Sequence, residues 1–235
     1  MVGCYRTGWS ARAGYGGRFR PEYAHRSTAC LDLPANPLIE DFRIAFQDAL
    51  PAALDALEGD APDDTRERNG WGQFQRLLLP ERTALLDHLC RLKDLQTVMR
   101  SRPRRKVIFH TDLHGGNLML DRGGNLHIID WEGAMLAPLE QDLFSFAELD
   151  TFPSLFWPNY RREYPEASLD LDALRFYYYR RGLEDLSEWL QRLLYSSQTE
   201  EQVKHALHWA QATLEDLAKV ELKLARIGRD LSGLR

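Results

Sequence analysis

The sequence predicts an α+β protein that is mostly helical and carries one small β element. Two observations lead to this fold class. Apolar residues recur at steps of three and four along most of the chain, the spacing of helices that bury one face. Over residues 107–129 this spacing gives way to short apolar runs on either side of a Gly-Gly turn, which is typical of a β-hairpin. We therefore expect helices packed around a single strand pair.

The composition argues against several classes of protein. The chain has 235 residues and a formal net charge of −5, with 44% apolar and 28% charged residues, as ordinary globular proteins do. No apolar run approaches the roughly 20 residues of a membrane helix, so we expect no membrane span. The acidic balance disfavours nucleic-acid binding. Cys4, Cys30 and Cys90 are far apart and form no CxxC pair, which disfavours disulfides and zinc and favours a reducing, cytoplasmic setting.

Residues 1–37 differ from the rest of the chain. The first 30 residues hold five arginines against one acid, Glu22, a charge of +4, and five of the 16 glycines; the remainder carries 25 basic and 34 acidic residues, or −9. This start lacks both the apolar helical face of a transit peptide and the apolar core of a signal peptide. We expect residues 1–37 to be a poorly ordered basic leader and residues 38–235 to form the folded part.

The predicted helices begin after this leader. An amphipathic stretch covers residues 38–58, where Pro51 is predicted to separate two short helices. Residues 59–72 are polar and rich in glycine and aspartate, so we expect a loop. Pro80 suits the start of a helix that runs to about residue 100. Its apolar stripe consists of Leu85, Leu89, Leu92 and Met99.

The β element and three further helices complete the prediction. A strand over 107–109 precedes the loop HTDLHGGN, and strands over 118–120 and 126–129 flank the turn DRGGN. Apolar side chains at helical spacing predict helices over residues 140–149, 170–195 and 199–226.

Three oxygen-bearing side chains fall at junctions between loop and strand. Asp112 and Asn117 share the loop HTDLHGGN, and Asp130 ends the second hairpin strand, which folds back beside that loop. Two carboxylates and one amide are hard ligands that suit magnesium. They do not suit zinc, which prefers nitrogen and sulfur. The sequence thus predicts a magnesium site at the end of the hairpin.

The same segment resembles a known family. The pattern H-x-D-x-x-x-x-N from His110, followed by a hairpin and I-D-W, is similar to the catalytic loop and metal-binding aspartate of kinase-like phosphotransferases, above all the aminoglycoside phosphotransferase family. The run IIDWEGAMLAPLEQDL is similar more narrowly to the branch that includes spectinomycin phosphotransferase. The resemblance implies the C-terminal lobe of the protein-kinase-like fold, with the small β-hairpin bearing the catalytic loop.

The resemblance also implies roles for the site residues. Asp112 is the base for the substrate hydroxyl, and Asn117 and Asp130 hold magnesium against the phosphates of ATP. His110 and Asp142 support the loop. The implied reaction transfers the γ-phosphate of ATP to a hydroxyl of a small molecule, an aminoglycoside or amino-cyclitol, with choline, homoserine or a sugar as other acceptors.

Two further groups of residues have weaker assignments. Glu184, Asp185 and Glu188 cluster on the helix that the family places near its substrate, so they are candidates for binding a cationic acceptor. The alternative is a solvated charged face neutralised by nearby arginines. His114 is interpreted as loop surface or a neighbour of the substrate.

The nucleotide-binding N-terminal lobe of the family is expected to be missing. The first lysine is Lys93, so residues 1–92 offer no lysine for the phosphates, and Gly14-Tyr15-Gly16-Gly17 is a poor match to a phosphate-covering loop. We therefore expect little activity from the chain alone. The main alternative is a catalytically dead lobe that acts as a binding or interaction module, with self-association through the surface that the missing lobe leaves. A metal-dependent hydrolase built on Asp112 and Asp130 is a third possibility, disfavoured because no further ligand cluster is present.

Overall fold

The computed structural model describes residues 11–12, 38–60, 70–196 and 198–232. They divide into two compact units. The β-containing unit comprises residues 11–12, 38–40 and 104–169, and the helical unit comprises the other described residues from 41 onward. The predicted leader and the glycine run at 14–17 lie outside the described residues, apart from Ala11–Arg12, so a poorly ordered leader stays a prediction.

The elements are numbered here in chain order. The helices are α1 (Ala49–Glu58), α2 (Trp71–Leu78), α3 (Arg82–Ser101), α4 (Glu140–Phe146), α5 (Trp157–Glu163), α6 (Leu171–Tyr195), α7 (Glu200–Ala218) and α8 (Val220–Ser232). The strands are β1 (Ala11–Arg12), β2 (Val107–Phe109), β3 (Leu118–Leu120), β4 (Asn125–Ile128) and β5 (Met135–Ala137). The α+β, mostly helical class predicted from the sequence is confirmed.

The helical unit is organised around α6. This helix packs against α1, α3, α7 and α8, and it buries apolar residues around most of its circumference. It begins at Asp170, whose carboxylate accepts hydrogen bonds from the N–H groups of Asp172 (2.8 Å) and Ala173 (3.4 Å). The predicted stripe of α3 is buried as expected. Helix α7 begins at a capping box in which Thr199 and Gln202 exchange hydrogen bonds.

The prediction of two short helices over residues 38–58 is wrong. Residues 38–48 are not helical, and Phe42 adopts a φ of 58° with its side chain buried. Only α1 forms, and Pro51 lies in its first turn, where a missing N–H leaves no helical hydrogen bond unmade. Ile39 instead pairs in parallel with Leu136 of β5.

The predicted helix over 199–226 is two helices, because a turn at Lys219 separates α7 from α8. Helices α2 and α5 and strands β1 and β5 were not predicted. Strand β5 has only three residues between glycine and proline positions and shows no alternation, so its sequence carries little strand signal.

The β-containing unit holds two small sheets. In the first, β3 and β4 form the predicted antiparallel hairpin, with Leu118 opposite Ile128, and β1 pairs with the other edge of β4. In the second, β2 pairs antiparallel with β5, with Phe109 opposite Met135. The Asp121 carboxylate holds the hairpin turn together, since it accepts hydrogen bonds from the N–H groups of Gly123 and Asn125, both at 2.8 Å. Among the described residues, none of the helices combines the length and apolarity needed to cross a bilayer.

Candidate active site

The loop after β2 is fixed to the start of α4 by one carboxylate. Asp142 accepts hydrogen bonds from the backbone N–H groups of His110 (2.9 Å, to Oδ2) and Thr111 (2.8 Å, to Oδ1). Gln141 adds a bond from its side-chain amide to the Thr111 carbonyl (3.3 Å). Asp142 is only 4% exposed. The first turn of α4 thus sets the path of the chain immediately before Asp112.

Burial dominates the electrostatics of Asp142. Desolvation raises the pKa of its carboxyl to about 6, while the hydrogen bonds from His110 and Thr111 act to lower it. The Asp112 carboxylate adds a smaller upward effect on the same pKa. At neutral pH Asp142 is therefore ionised, and its two oxygens are matched to two backbone donors.

The His110 side chain joins the loop to the end of the hairpin. Its Nε2 lies 2.6 Å from the carbonyl oxygen of Ile129, and because a carbonyl can only accept, Nε2 carries the proton. The ring is 2% exposed and meets the Trp131 ring edge-on, with centroids 4.8 Å apart. The Ile129 N–H also donates to the carbonyl of Asn117 (3.1 Å). Ile129 therefore bonds to both ends of the loop, and Asp130 is the next residue.

Asp112 and Asn117 are held together inside the loop. The Asn117 amide nitrogen donates to the backbone carbonyl of Asp112 (2.9 Å) and lies 3.4 Å from its carboxylate oxygen Oδ2. Asn117 is 8% exposed, whereas Asp112 is exposed at the surface. Since the nitrogen of this amide faces Asp112, its carbonyl oxygen is the atom available to a cation.

Asp130 ends the hairpin in a strained conformation. Its φ of 65° and ψ of 56° are left-handed, which few non-glycine residues adopt, and it is exposed. A short 3₁₀ turn, Trp131–Gly133, follows, and the Thr111 hydroxyl donates to the Gly133 carbonyl (3.0 Å). Thr111 itself has a φ of 73°. The contact between Thr111 and Gly133 thus places the turn after Asp130 next to the loop that carries Asp112.

Sequence reasoning missed three residues of this site. Thr111, Gln141 and Gly133 link the loop, α4 and the turn after Asp130. A β-carbon on Gly133 would lie 2.8 Å from the Thr111 hydroxyl, so the glycine permits this contact. The available signal was that Gln141 is a polar residue next to Asp142, and the structure buries both in the first turn of α4.

The donor set fits magnesium better than a transition metal. The amide oxygen of Asn117 and the carboxylate of Asp130 are hard oxygen ligands, and magnesium is commonly bound by one or two carboxylates together with substrate phosphates. Across the described residues no group of three or more histidine, cysteine or acidic side chains could hold a metal ion by itself. A magnesium ion held by Asn117 and Asp130 would complete its coordination with water or with a ligand such as a nucleotide.

The three acidic residues predicted to bind substrate lie on α6, in the helical unit. Asp185 pairs with Arg181 (3.2 Å) and Glu188 with Arg192 (3.2 Å), both along the helix itself. Burial raises the pKa of Glu184, against the effect of the neighbouring arginines. These contacts agree with the alternative of a charged helix face, and the substrate role stays a prediction.

Two cavities of about 370 and 560 Å³ also belong to the helical unit. They are lined by residues of α2, α6 and α7 and of the turn between α6 and α7. Neither the predicted substrate residues nor any residue of the Asp112 loop lines them. Neither of these two cavities therefore marks the Asp112 loop.

An HxD loop whose histidine bonds to the strand end that precedes an aspartate is typical of kinase-like phosphotransferases. The chain belongs to the phosphotransferase enzyme family (APH), whose sequence profile matches residues 45–178, more than half of the chain. The matched range runs from the approach to α1 into α6 and includes the whole loop–hairpin segment. The family resemblance seen in the sequence is confirmed.

Two solved structures share the fold. A spectinomycin phosphotransferase, APH(9)-Ia, in complex with ADP and spectinomycin is similar with a TM-score of 0.66 at 19% identity, over 85% of this chain and 64% of that one. The AMP-bound complex of the same enzyme is similar with a TM-score of 0.65 at 19% identity, over 87% of this chain and 64% of that one. The chain thus spans just under two thirds of the length of these structures. No curated protein sequence matches it.

Proposed function

We propose that the chain is the metal- and acceptor-binding part of an ATP-dependent phosphotransferase that phosphorylates a hydroxyl of a small molecule. The observation that supports this most is how the loop after β2 is held on both sides of Asp112. One buried carboxylate, Asp142, fixes the backbone before Asp112, and Asn117 fixes Asp112 from the other side. Phosphoryl transfer depends mainly on positioning and charge neutralisation, and this arrangement supplies positioning.

In the proposed reaction the acceptor hydroxyl gives its proton to Asp112. The acceptor oxygen forms a bond to the γ-phosphorus of ATP, and the bond between that phosphorus and the oxygen of the departing ADP breaks. The proton then leaves Asp112 for water. Asn117 and Asp130 are the residues we propose to hold magnesium, which supplies charge neutralisation of the phosphate oxygens when bound. An exposed aspartate suits the base, because the acceptor must reach it.

The test is ATP consumption by the purified chain with a panel of aminoglycosides, spectinomycin and choline. The Asp112→Ala variant should lower kcat by roughly 10²–10⁴, the usual cost of losing a general base. Asp94→Ala, which removes an exposed aspartate of α3, is the matched control and should retain the parent rate. Equal turnover by the Asp112 variant and the parent would refute the base assignment.

A second candidate function has one observation in its favour. Because the first lysine is Lys93, residues 1–92 offer no lysine to the triphosphate. An arginine there is not equivalent, since its planar fork differs in reach and geometry. We therefore expect slow turnover, and a binding module that holds nucleotide without catalysis is the alternative. Calorimetry with magnesium and ADP separates the two, because binding without acceptor-dependent turnover supports the module.

The proposed acceptor is an aminoglycoside or related amino-cyclitol. The solved relative in complex with ADP and spectinomycin supports this class. The acidic side chains of α6 support it less, because Asp185 and Glu188 are already paired with arginines. Glu184→Gln should raise the KM for cationic acceptors and not for sugars if this face binds substrate. ATP use also agrees with the predicted cytoplasmic setting.

A further inference from the structure

We propose that His114 is a positioning residue for the Asp112 carboxylate, a role that rests on the phosphotransferase function proposed above. Its Nε2 lies 3.5 Å from Oδ2 of Asp112. The same carboxylate oxygen is approached by the amide nitrogen of Asn117 at 3.4 Å. Nε2 also lies 3.4 Å from that amide nitrogen, so His114, Asn117 and the carboxylate oxygen form one cluster. Two side chains that crowd one oxygen restrict rotation of the carboxylate about its terminal torsion. They thereby fix which direction the base presents to an acceptor.

The backbone determines which nitrogen of His114 can donate. The N–H of Gly116 donates to Nδ1 of His114 at 3.0 Å. A neutral imidazole has one acceptor and one donor nitrogen, so in the neutral ring this bond places the proton on Nε2, which lies 3.5 Å from Asp112 Oδ2 and 3.4 Å from the Asn117 amide nitrogen. Of these two neighbours only the carboxylate oxygen can accept a hydrogen bond. The His114 carbonyl also accepts from the N–H of Asn117 (2.9 Å), which fixes the backbone on which the ring is mounted. The loop thus orients the donor as well as the base.

The glycine pair of the loop agrees with this arrangement. A β-carbon on Gly116 would lie 2.7 Å from Cε1 and 3.0 Å from Nδ1 of His114, so a side chain there would displace the ring. A β-carbon on Gly115 would meet nothing within 4 Å. Of two adjacent glycines, only Gly116 is required by the position of the imidazole. This requirement is expected if the ring must stay over the backbone near Asp112.

A neutral donor suits this task for a chemical reason. A lysine or arginine at this place would form a charge-assisted bond, which is about twice as strong and favours the ionised carboxylate. The base would then take up a proton less readily. The N–H of a neutral imidazole would orient the carboxylate while disturbing its basicity less. His114 therefore acts through Asp112, and no contact with the reacting atoms is required of it.

The first test compares two variants that both remove the imidazole. Misplacing a catalytic group costs roughly 10–100-fold, so His114→Leu should lower kcat by that factor with the KM for ATP within about twofold. His114→Gln, whose side-chain amide is a neutral donor of similar reach, should recover most of the loss. Equal kcat for the Leu variant and the parent, equal loss in both variants, or a change confined to KM overturns the proposal.

The second test does not need activity. Nitrogen-15 spectra of the histidine rings are recorded at about pH 8.5, where imidazoles are neutral. We expect Nδ1 of His114 to be fully unprotonated, Asp112→Asn to shift its Nε2 signal, and Gly116→Ala but not Gly115→Ala to disturb the ring signals. If the parent shows no acceptor-dependent turnover, the proposed function fails while these spectra still decide the contact. A protonated Nδ1, or ring signals indifferent to Asp112→Asn, overturns the proposal.

Discussion

At the scale of single residues, the site depends on buried or strained positions next to exposed ones. Asp142 is buried and ionised, while Asp112, which it indirectly positions, is exposed. Thr111 and Asp130 both adopt positive φ, at 73° and 65°. Such backbone strain costs of order 1–3 kcal/mol per residue and persists only where surrounding bonds impose it. The bonds to Asp142, Gln141 and Gly133 hold Thr111 in place.

Asp142→Asn should change the pH dependence of stability. Burial raises the pKa of Asp142 from 3.8 to about 6, so the folded state holds this proton more tightly than the unfolded chain. The stabilisation that comes from this tighter proton binding is fully present below pH 3.8 and is lost as the pH rises through about 6. The asparagine does not titrate. The free energy of unfolding of the parent minus that of the variant should therefore fall by on the order of 2–3 kcal/mol between about pH 4 and pH 8.

Urea unfolding at several pH values measures this difference. Asp94→Asn, at an exposed position on α3, serves as the control and should give a difference that is flat with pH. The asparagine at 142 retains one oxygen for two backbone donors, so some constant loss of stability is expected in addition. A pH-independent difference for Asp142→Asn contradicts the assignment of a buried, titrating carboxyl.

At the scale of elements, α2 begins at a position that only glycine tolerates well. Gly70 precedes α2 with a φ of 64°, and a β-carbon there would lie 2.2 Å from Cγ1 of Val203 in α7. The close approach of these two helices therefore depends on the missing side chain. The N–H groups of Gln73 and Phe74 donate to the Gly70 carbonyl, which makes this residue the first acceptor of the helix.

Gly70→Ala should destabilise the protein by about 1–3 kcal/mol, because it combines left-handed backbone strain with a clash against Val203. The matched control is Gly59→Ala after α1. That residue has a φ of −77°, and its β-carbon would be 3.4 Å from the nearest atom, the Ala56 carbonyl oxygen. Thermal or urea unfolding should show a change within about 0.5 kcal/mol there. Equal losses at both positions would refute the steric explanation.

The sequence predicted those elements whose side chains carry a strong local signal. Helices α3 and α6 have long apolar faces, and the β3–β4 hairpin has a Gly-Gly turn between apolar runs. The helix prediction for residues 38–48 was wrong because Phe42 and Phe46 show helical spacing and are buried, whereas the backbone of residues 38–40 pairs with β5. Such pairing depends on residues that are distant in sequence, so a local pattern of apolar residues does not predict it.

The site was predictable to a similar extent. The loop motif indicated His110, Asp112 and Asn117, and the structure places them in one bonded loop. The parts that could not be predicted are contacts between distant segments, such as the Thr111 hydroxyl with Gly133. The proximity of His114 to Asp112 also depends on how the backbone turns at the two glycines, which residue types alone do not show.

At the scale of the whole molecule, the chain is two units that each have their own described core. Most of its exposed large apolar side chains, within the described residues, belong to the β-containing unit: Leu38, Ile39, Met119, Leu120, Ile129, Trp131, Leu149 and Leu155. The predicted self-association therefore has a candidate surface in this unit, and it stays a prediction that light scattering can measure.

Nucleotide binding should be visible as a shift in the stability of the whole chain. A ligand at 100 times its Kd stabilises the state that binds it by about 2.7 kcal/mol. For a chain of this size that corresponds to a rise in Tm of roughly 5–10 °C. We expect magnesium with ADP to produce such a rise in the parent and in Asp94→Ala, and not in Asp130→Ala. A rise that survives Asp130→Ala, or that EDTA does not remove, contradicts the proposed role of that carboxylate.

The two hydrogen bonds from the loop to Asp142 also affect hydrogen exchange. The amide protons of His110 and Thr111 lie in neither a helix nor a strand, yet both are bonded to a buried carboxylate. They should exchange with deuterated solvent only when the loop detaches from α4, and so as slowly as amides of regular structure. Their exchange rate then measures how often the loop detaches from α4, in the absence of any nucleotide or acceptor.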